Sequence, residues 1–314
     1  MKIISLVPGA TEILCALGLE DNIYGVSHKC NFPESIKNKE VVLDSTLDFR
    51  KLNSLQIDTA INESASSNKS IYLLDIEAIN KIEPDFIITQ DLCEVCAISS
   101  SQIEEILLKL SKKPEIITTS PRSIKEINES ILLLADKFKV KDKGIELVNK
   151  INGEIKTILS FSKNIIDKPR VFCMDWINPI YSAGHWVPEI VNIAGGTSIK
   201  LGGTQNSEKI TFEKLLEFAP HFIFIMPCGY DIEQTLNEIN LLLENPELNK
   251  IPAFNSGQVY IVNANAYFSK GTYRLIEGIK IITRTINQKS FNYEPEPDAI
   301  LNLQNYIHFE SFAG

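Results

Sequence analysis

The chain has 314 residues, of which 44% are hydrophobic and 23% charged, and its formal net charge is −9. That length allows two domains of ordinary size, and the residue balance is that of a globular protein. The acidic balance excludes sequence-independent nucleic-acid binding, which needs a basic surface, and no apolar run reaches the roughly 18 residues that span a bilayer.

The first stretch, "MKIISLVPGATEILCALG", predicts a strand over Ile3–Val7, a turn at Pro8-Gly9 and an apolar-periodic helix over about Thr11–Leu19, opened by Thr11 and Glu12. No apolar leader precedes the strand, so the chain as written is expected to be cytoplasmic, with an extracytoplasmic location as the alternative if a leader was trimmed. A second strand falls at Ile23–Ser27. "DIEAINKIEPDFIITQ" reads as a helix, a turn at Pro84 and a buried strand. A helix over about Ser100–Leu110 and a strand at Glu115–Thr118 complete an N-terminal α/β lobe, residues 1–121.

Residues 122–168 carry helical periodicity with little interruption. "SIKEINESILLLADKF" spaces Ile and Leu at i, i+3, i+4 and i+7, and Ile145, Val148, Ile151, Ile155 and Ile158 continue on one stripe. This segment lacks the Gly and Ser of a flexible linker and reads as a stiff spine. A C-terminal α/β lobe follows over residues 169–287. Residues 288–314 form an extension in which Pro295 and Pro297 mark an extended linker before a short helix.

The two lobes share a grammar. Pro84-Asp85-Phe86-Ile87-Ile88 has Glu77 seven residues upstream of its proline, and Pro220-His221-Phe222-Ile223-Phe224 has Glu213 seven upstream of its own. "TEILCALG" pairs with "PEIVNIAGG", aligning Glu12 with Glu189 and Gly18 with Gly195. Two such echoes indicate two copies of one α/β unit. The expected fold is therefore α/β, with two Rossmann-like lobes that face each other and are joined by a single long rigid helix.

In open α/β sheets, ligands sit beyond the carboxyl ends of the strands. "LVPGATE", "TQDLCEVC", "DWINPIYSAGHW" and "MPCGYD" are all such ends, and facing lobes would gather them in one cleft. The candidate ligand-binding residues are Pro8, Thr11, Glu12, His28, Cys30, Asp91, Cys93, Cys96, Trp176, Tyr181, His185, Trp186, Cys228, Tyr230, Tyr267 and Phe268. The rings suit a large planar ligand. Trp186 also has a plain structural reading, packed beneath its turn. Cys93 and Cys96, with His185, could hold zinc or iron, form a redox pair, or simply line the cleft as inert thiols. Glu77 and Glu213 most simply complement helix dipoles. There is no Walker loop, no Gly-x-Ser-x-Gly and no dinucleotide fingerprint, which favours binding over catalysis.

The motifs "ISLVPGATEILCALG", "GVSHKCNFP", "SAGHWVPEIVNIAGG", "LEFAPHFIFI" and "AYFSKGTYRLIEGIKII" resemble, in the same order, the substrate-binding proteins that serve ABC importers of cobalamin, haem and siderophores. The similarity runs from about Ile3 to Ile282 and is strongest to a cobalamin-binding-protein-like branch that carries Asp-Leu-Cys-x-Val-Cys. The resemblance implies a class III periplasmic-binding-protein-like fold with a single linking helix. It also implies a non-catalytic role with no required cofactor, a small-molecule partner such as a corrinoid or other metal chelate, and an ABC permease. One docking glutamate per lobe is a family feature. Glu213 matches the second; the first-lobe match falls near Ser100, leaving Glu94 or Glu77 as the available carboxylate. Tyr267 matches an aromatic ligand contact, and Ala266 stands where the family has an acidic residue. A cytoplasmic metal-binding protein or metalloenzyme using the Cys/His set is the competing expectation.

Overall fold

β1 (Ile3–Ser5) is wholly buried and pairs in parallel with β2 (Ile23–Ser27) on one side and β5 (Phe86–Thr89) on the other. The computed structural model to which it belongs describes residues 1–49, 51–67, 70–90, 107–199, 206–287 and 290–307. The chain forms two units, Met1–Asn149 and Lys150–Gly314. In the first, α1 (Pro8–Ala16) follows β1, then β3 (Glu40–Ser45), α2 (Ser54–Ser67), β4 (Tyr72–Leu74), α3 (Ile76–Ile82) and, after β5, β6 (Glu115–Thr118). The sheet order is β4-β3-β2-β1-β5-β6, parallel except for β3 with β4. Ile4, Val42, Leu43, Ile79 and Ile87 pack as a core on this sheet.

β2 and β6 match the sequence expectation. Helix α1 instead begins at Pro8, ahead of Thr11, because proline at the first helical position gives up only an N–H that would lack a partner anyway. β3, β4 and α2 were not expected. β3 is exposed at Glu40, Val41 and Asp44, so it lacks the continuous apolar run that marks a buried strand.

The helical segment, expected as a stiff spine with little interruption, is two helices in succession. α4 (Ile124–Lys137) starts on Ser123, whose hydroxyl accepts the Glu126 N–H at 3.2 Å. It ends where Lys139 turns left-handed at φ 61. The Val140 N–H reaches the Ala135 carbonyl at 2.8 Å and the Lys139 N–H the Asp136 carbonyl at 3.1 Å, which is the paired closure of a Schellman motif. α5 (Lys141–Ser162) follows, and Gly144 lets it approach α4 closely, since a Cβ there would fall 2.4 Å from that of Ala135. Of the expected α5 stripe, Ile151 and Ile158 are buried, whereas Ile145 is 41% exposed.

The second unit holds β7 (Arg170–Trp176), β8 (Tyr181–Ser182), α6 (Val187–Ile193), β9 (Thr197–Ser198), β10 (Glu208–Lys209), α7 (Phe212–Phe218), β11 (Phe222–Ile225) and α8 (Ile232–Leu243). It continues with α9 (Pro252–Asn255), β12 (Val259–Val262), α10 (Ala264–Tyr267), α11 (Leu275–Ile286) and β13 (Ile300–Asn302). The sheet runs β10-β8-β7-β11-β12-β13, and β9 also pairs with β7. Phe172, Met174, Ile223, Ile225 and Ile261 fill its core. The extension supplies β13, antiparallel to β12. It is fastened by the Tyr293 hydroxyl, which donates to Glu277 Oε2 at 2.8 Å, and by Arg284 Nε, which donates to the Tyr293 carbonyl at 2.8 Å.

The duplication is visible residue by residue. Ile3 pairs with Phe86 as Val171 pairs with Phe222, and Ser5 with Ile88 as Cys173 with Phe224. α3 and α7 have side-chain caps, Asp75 and Thr211, and both end on a left-handed residue before proline, Glu83 (φ 51) and Ala219 (φ 46). Lys2 Nζ donates to the Ile82 carbonyl at 2.7 Å in one unit. In the other, the Arg170 guanidinium donates to the Phe218 and Ala219 carbonyls at 2.7–2.9 Å. In each case a cation meets the negative end of a helix.

Candidate functional site

In the first unit, the segment after β1 buries its polar side chains. Thr11 and Glu12 are 0% and 1% exposed. Thr11 Oγ1 lies 2.8 Å from Ser5 Oγ and 3.1 Å from Cys30 Sγ, so Cys30 is held inside a hydrogen-bonded cluster. Pro8 is half-buried at the head of α1. His28 follows β2, with Nδ1 at 3.1 Å from the Leu43 carbonyl; burial, as the main cause, lowers its pKa. Cys15, on α1, has its thiol pushed up to about 12 by burial and then by Glu20. The candidates Asp91, Cys93, Glu94 and Cys96 lie outside the described residues.

In the second unit, the strand ends carry the rings. Trp176 ends β7 and pairs across the hairpin with Tyr181 on β8, which puts both side chains on one face. The Tyr230 ring meets Trp176 edge-on at 5.4 Å, and its hydroxyl donates to Glu238 at 2.9 Å. Burial first, and Glu238 next, raise the Tyr230 pKa. Trp176, Tyr181 and His185 are half-buried and Cys228 is exposed. Tyr267 is 9% exposed beneath the Arg274 guanidinium, 5.1 Å from the ring centre.

Trp186 is a structural side chain here. It is 4% exposed and its indole N–H donates to the Phe268 carbonyl at 2.7 Å. Phe268 is itself 3% exposed. His185, just before it, sits at φ 51, a conformation that strains a non-glycine residue.

Two residues at this edge went unnoticed in the sequence. Asp175 precedes Trp176, and its Oδ2 accepts the Ser207 hydroxyl at 2.6 Å. Burial raises the Asp175 carboxyl to about 6 against the lowering pull of Ser207. The available signal was an acidic residue inside the apolar strand "RVFCMDW".

Glu213 is exposed in the first turn of α7, where its own backbone N–H and the Thr211 hydroxyl hold its carboxyl below the usual range. The equivalent place in the first unit is Glu77, exposed in the first turn of α3. Among the described residues, no three His, Cys, Asp or Glu side chains gather as a metal-ligand set.

Residues 3–266 match the family model described as Periplasmic binding protein. The chain belongs to that family. It is 22% identical over 293 residues to a vitamin B12-binding protein of Vibrio campbellii, covering 92% of this chain and 91% of that one. To an uncharacterized ABC transporter substrate-binding lipoprotein of Bacillus subtilis it is 23% identical over 299 residues, covering 92% and 81%. Among solved structures, the periplasmic vitamin B12 binding protein BtuF of Vibrio cholerae superposes with a TM-score of 0.66 at 19% identity, over 92% of this chain and 97% of that one. The periplasmic heme-binding protein RhuT of Roseiflexus sp. RS-1 does so with a TM-score of 0.68 at 18% identity, over 92% and 98%. The expected fold class, two α/β lobes of the class III periplasmic-binding kind, holds. The cytoplasmic expectation finds no support in these relatives, whose names describe periplasmic proteins and a lipoprotein. Among the described residues, no helix is long and apolar enough to cross a membrane.

Proposed function

We propose that this periplasmic-binding-family protein is the substrate-binding component of an ABC importer-type system and that its ligand is a corrinoid or a related tetrapyrrole metal chelate. The observation that carries the reading is the half-buried group of Trp176, Tyr181 and His185, with Cys228 exposed beside them, at the carboxyl ends of β7 and β11. Flat rings with a few oriented polar groups suit a large planar ligand better than a bare ion. The names of the relatives, vitamin B12-binding and heme-binding, favour the same chemistry. An imidazole at His185 and a thiol at Cys93, Cys96 or Cys228 are ligands suited to a chelated cobalt or iron. In this reading the permease is met by two matching carboxylates, Glu77 and Glu213, and the protein acts outside the cytoplasmic membrane.

Titration with hydroxocobalamin and, separately, haemin, followed by visible absorbance and heat, tests the proposal. Saturable binding of one with a displaced visible band is expected; no spectral change and no heat with either at saturating concentration would end it.

A further inference from the structure

We propose that Asp175 and Ser207 form a positioning pair that sets the loop bearing His185 and Trp186 for ligand binding, an inference that rests on the reading of this strand edge as ligand-facing. Ser207 Oγ does two things at once. It donates to Asp175 Oδ2 at 2.6 Å and accepts the Gly184 N–H at 3.1 Å. The polarity of the relay is thereby fixed: amide to hydroxyl, hydroxyl to carboxylate. Gly184 is required for this contact, since a Cβ there would fall 2.2 Å from the Asn206 carbonyl carbon. One residue on, His185 takes its left-handed conformation, and the next residue, Trp186, is tied to the Phe268 carbonyl. The strained histidine is thus pinned on both sides, by Ser207 at Gly184 and by Phe268 at Trp186. Asp175 also fastens a second segment of the edge, because its backbone carbonyl accepts the Cys228 N–H at 3.0 Å.

The repeat argues that scaffolding alone does not call for this carboxylate. Counting on from the shared register sets Val7, the residue just before α1, opposite Asp175, so the first unit has an apolar side chain at that place. A half-buried carboxylate still carries a desolvation cost, and an amide would keep a hydrogen-bond acceptor for Ser207 at less cost. What the charge adds is a shorter, stronger bond to the hydroxyl and hence a more rigid loop.

The test uses the full chain with Ser207→Ala, Ser207→Thr and Asp175→Asn, each checked for folding by circular dichroism. Affinity for hydroxocobalamin and haemin is measured at pH 7.5, alongside hydrogen–deuterium exchange of the Gly184–Val187 segment without ligand. For the probe that binds, Ser207→Ala is expected to weaken affinity by about tenfold and Asp175→Asn by about threefold, while Ser207→Thr, which keeps the hydroxyl, restores most of it. Exchange of the segment without ligand is expected to follow the same order, fastest in Ser207→Ala. If wild type binds a probe and both Asp175→Asn and Ser207→Ala bind it equally well, the positioning role is overturned and the ligand reading stands. If wild type binds neither probe, the ligand reading fails. The exchange arm then decides for the pair, since a segment that exchanges no faster in Ser207→Ala than in wild type contradicts it.

Discussion

The helix–proline–strand unit around Pro84 and the one around Pro220 are the same object built from different residues. Each has a side-chain cap, a seven-residue helix, a left-handed residue before proline and a four-residue strand. A lysine closes the helix in one and an arginine in the other. Beyond the strand ends the likeness stops. The first unit buries Ser5, Thr11 and Cys30 in a small polar cluster, with Glu12 buried next along the helix, whereas in the second Trp176 meets Tyr181 and Tyr230, and Asp175 beside it holds Ser207. The frame repeats where only backbone geometry and burial are required. The rim differs, and the rim is where a ligand would be chosen.

The comparison can be broken at the core of the frame. Phe172→Ala removes a fully buried ring from β7 and is expected to cost about 3–5 kcal/mol, read from urea denaturation. Ile4→Ala, at the equivalent register of β1, should cost about 2–5 kcal/mol. A loss under about 1 kcal/mol at either would deny that these strands are the centres of their sheets.

The rim sharpens it through pH. Asp175 keeps its proton up to about pH 6 in the folded protein, against 3.8 ordinarily. Between those values the unfolded chain has released the proton and the folded one has not, so the folded state loses stability as pH rises through that window. The loss is about 3 kcal/mol. Asp175→Asn should flatten this part of the stability–pH profile, measured by denaturant midpoints at pH 4 and pH 7, while Val7, its counterpart, offers nothing to titrate.

Smaller effects separate the two helix closures. Arg170→Met abandons three hydrogen bonds to two carbonyls and is expected to cost about 2 kcal/mol; Lys2→Met abandons one to Ile82 and should cost about 1 kcal/mol. The caps come last, with Thr211→Ala and Asp75→Ala each expected to cost about 1 kcal/mol by thermal denaturation.

These pairs also show what a sequence can disclose. Apolar periodicity and prolines located β2, β5, β6, β11 and the repeat itself, because buried parallel strands write continuous hydrophobic runs. β3, half exposed beside the edge strand β4, and the two-residue β8, β9 and β10 carry no such run. The break at Lys139 depends on a backbone conformation that lysine does not advertise. Trp186 reads equally as a platform or as a side chain packed beneath its turn, and Phe268 as cleft lining, because aromatic residues at strand ends are ambiguous until burial is known. Asp175 and Ser207 lie 32 positions apart, and only folding brings them together.

Hydrogen–deuterium exchange with and without hydroxocobalamin or haemin tests the central claim most directly. Protection is expected to concentrate at residues 175–187 and 226–231, with α3 and α7 unchanged. Bound ligand that leaves both of those segments exchanging as before would contradict it.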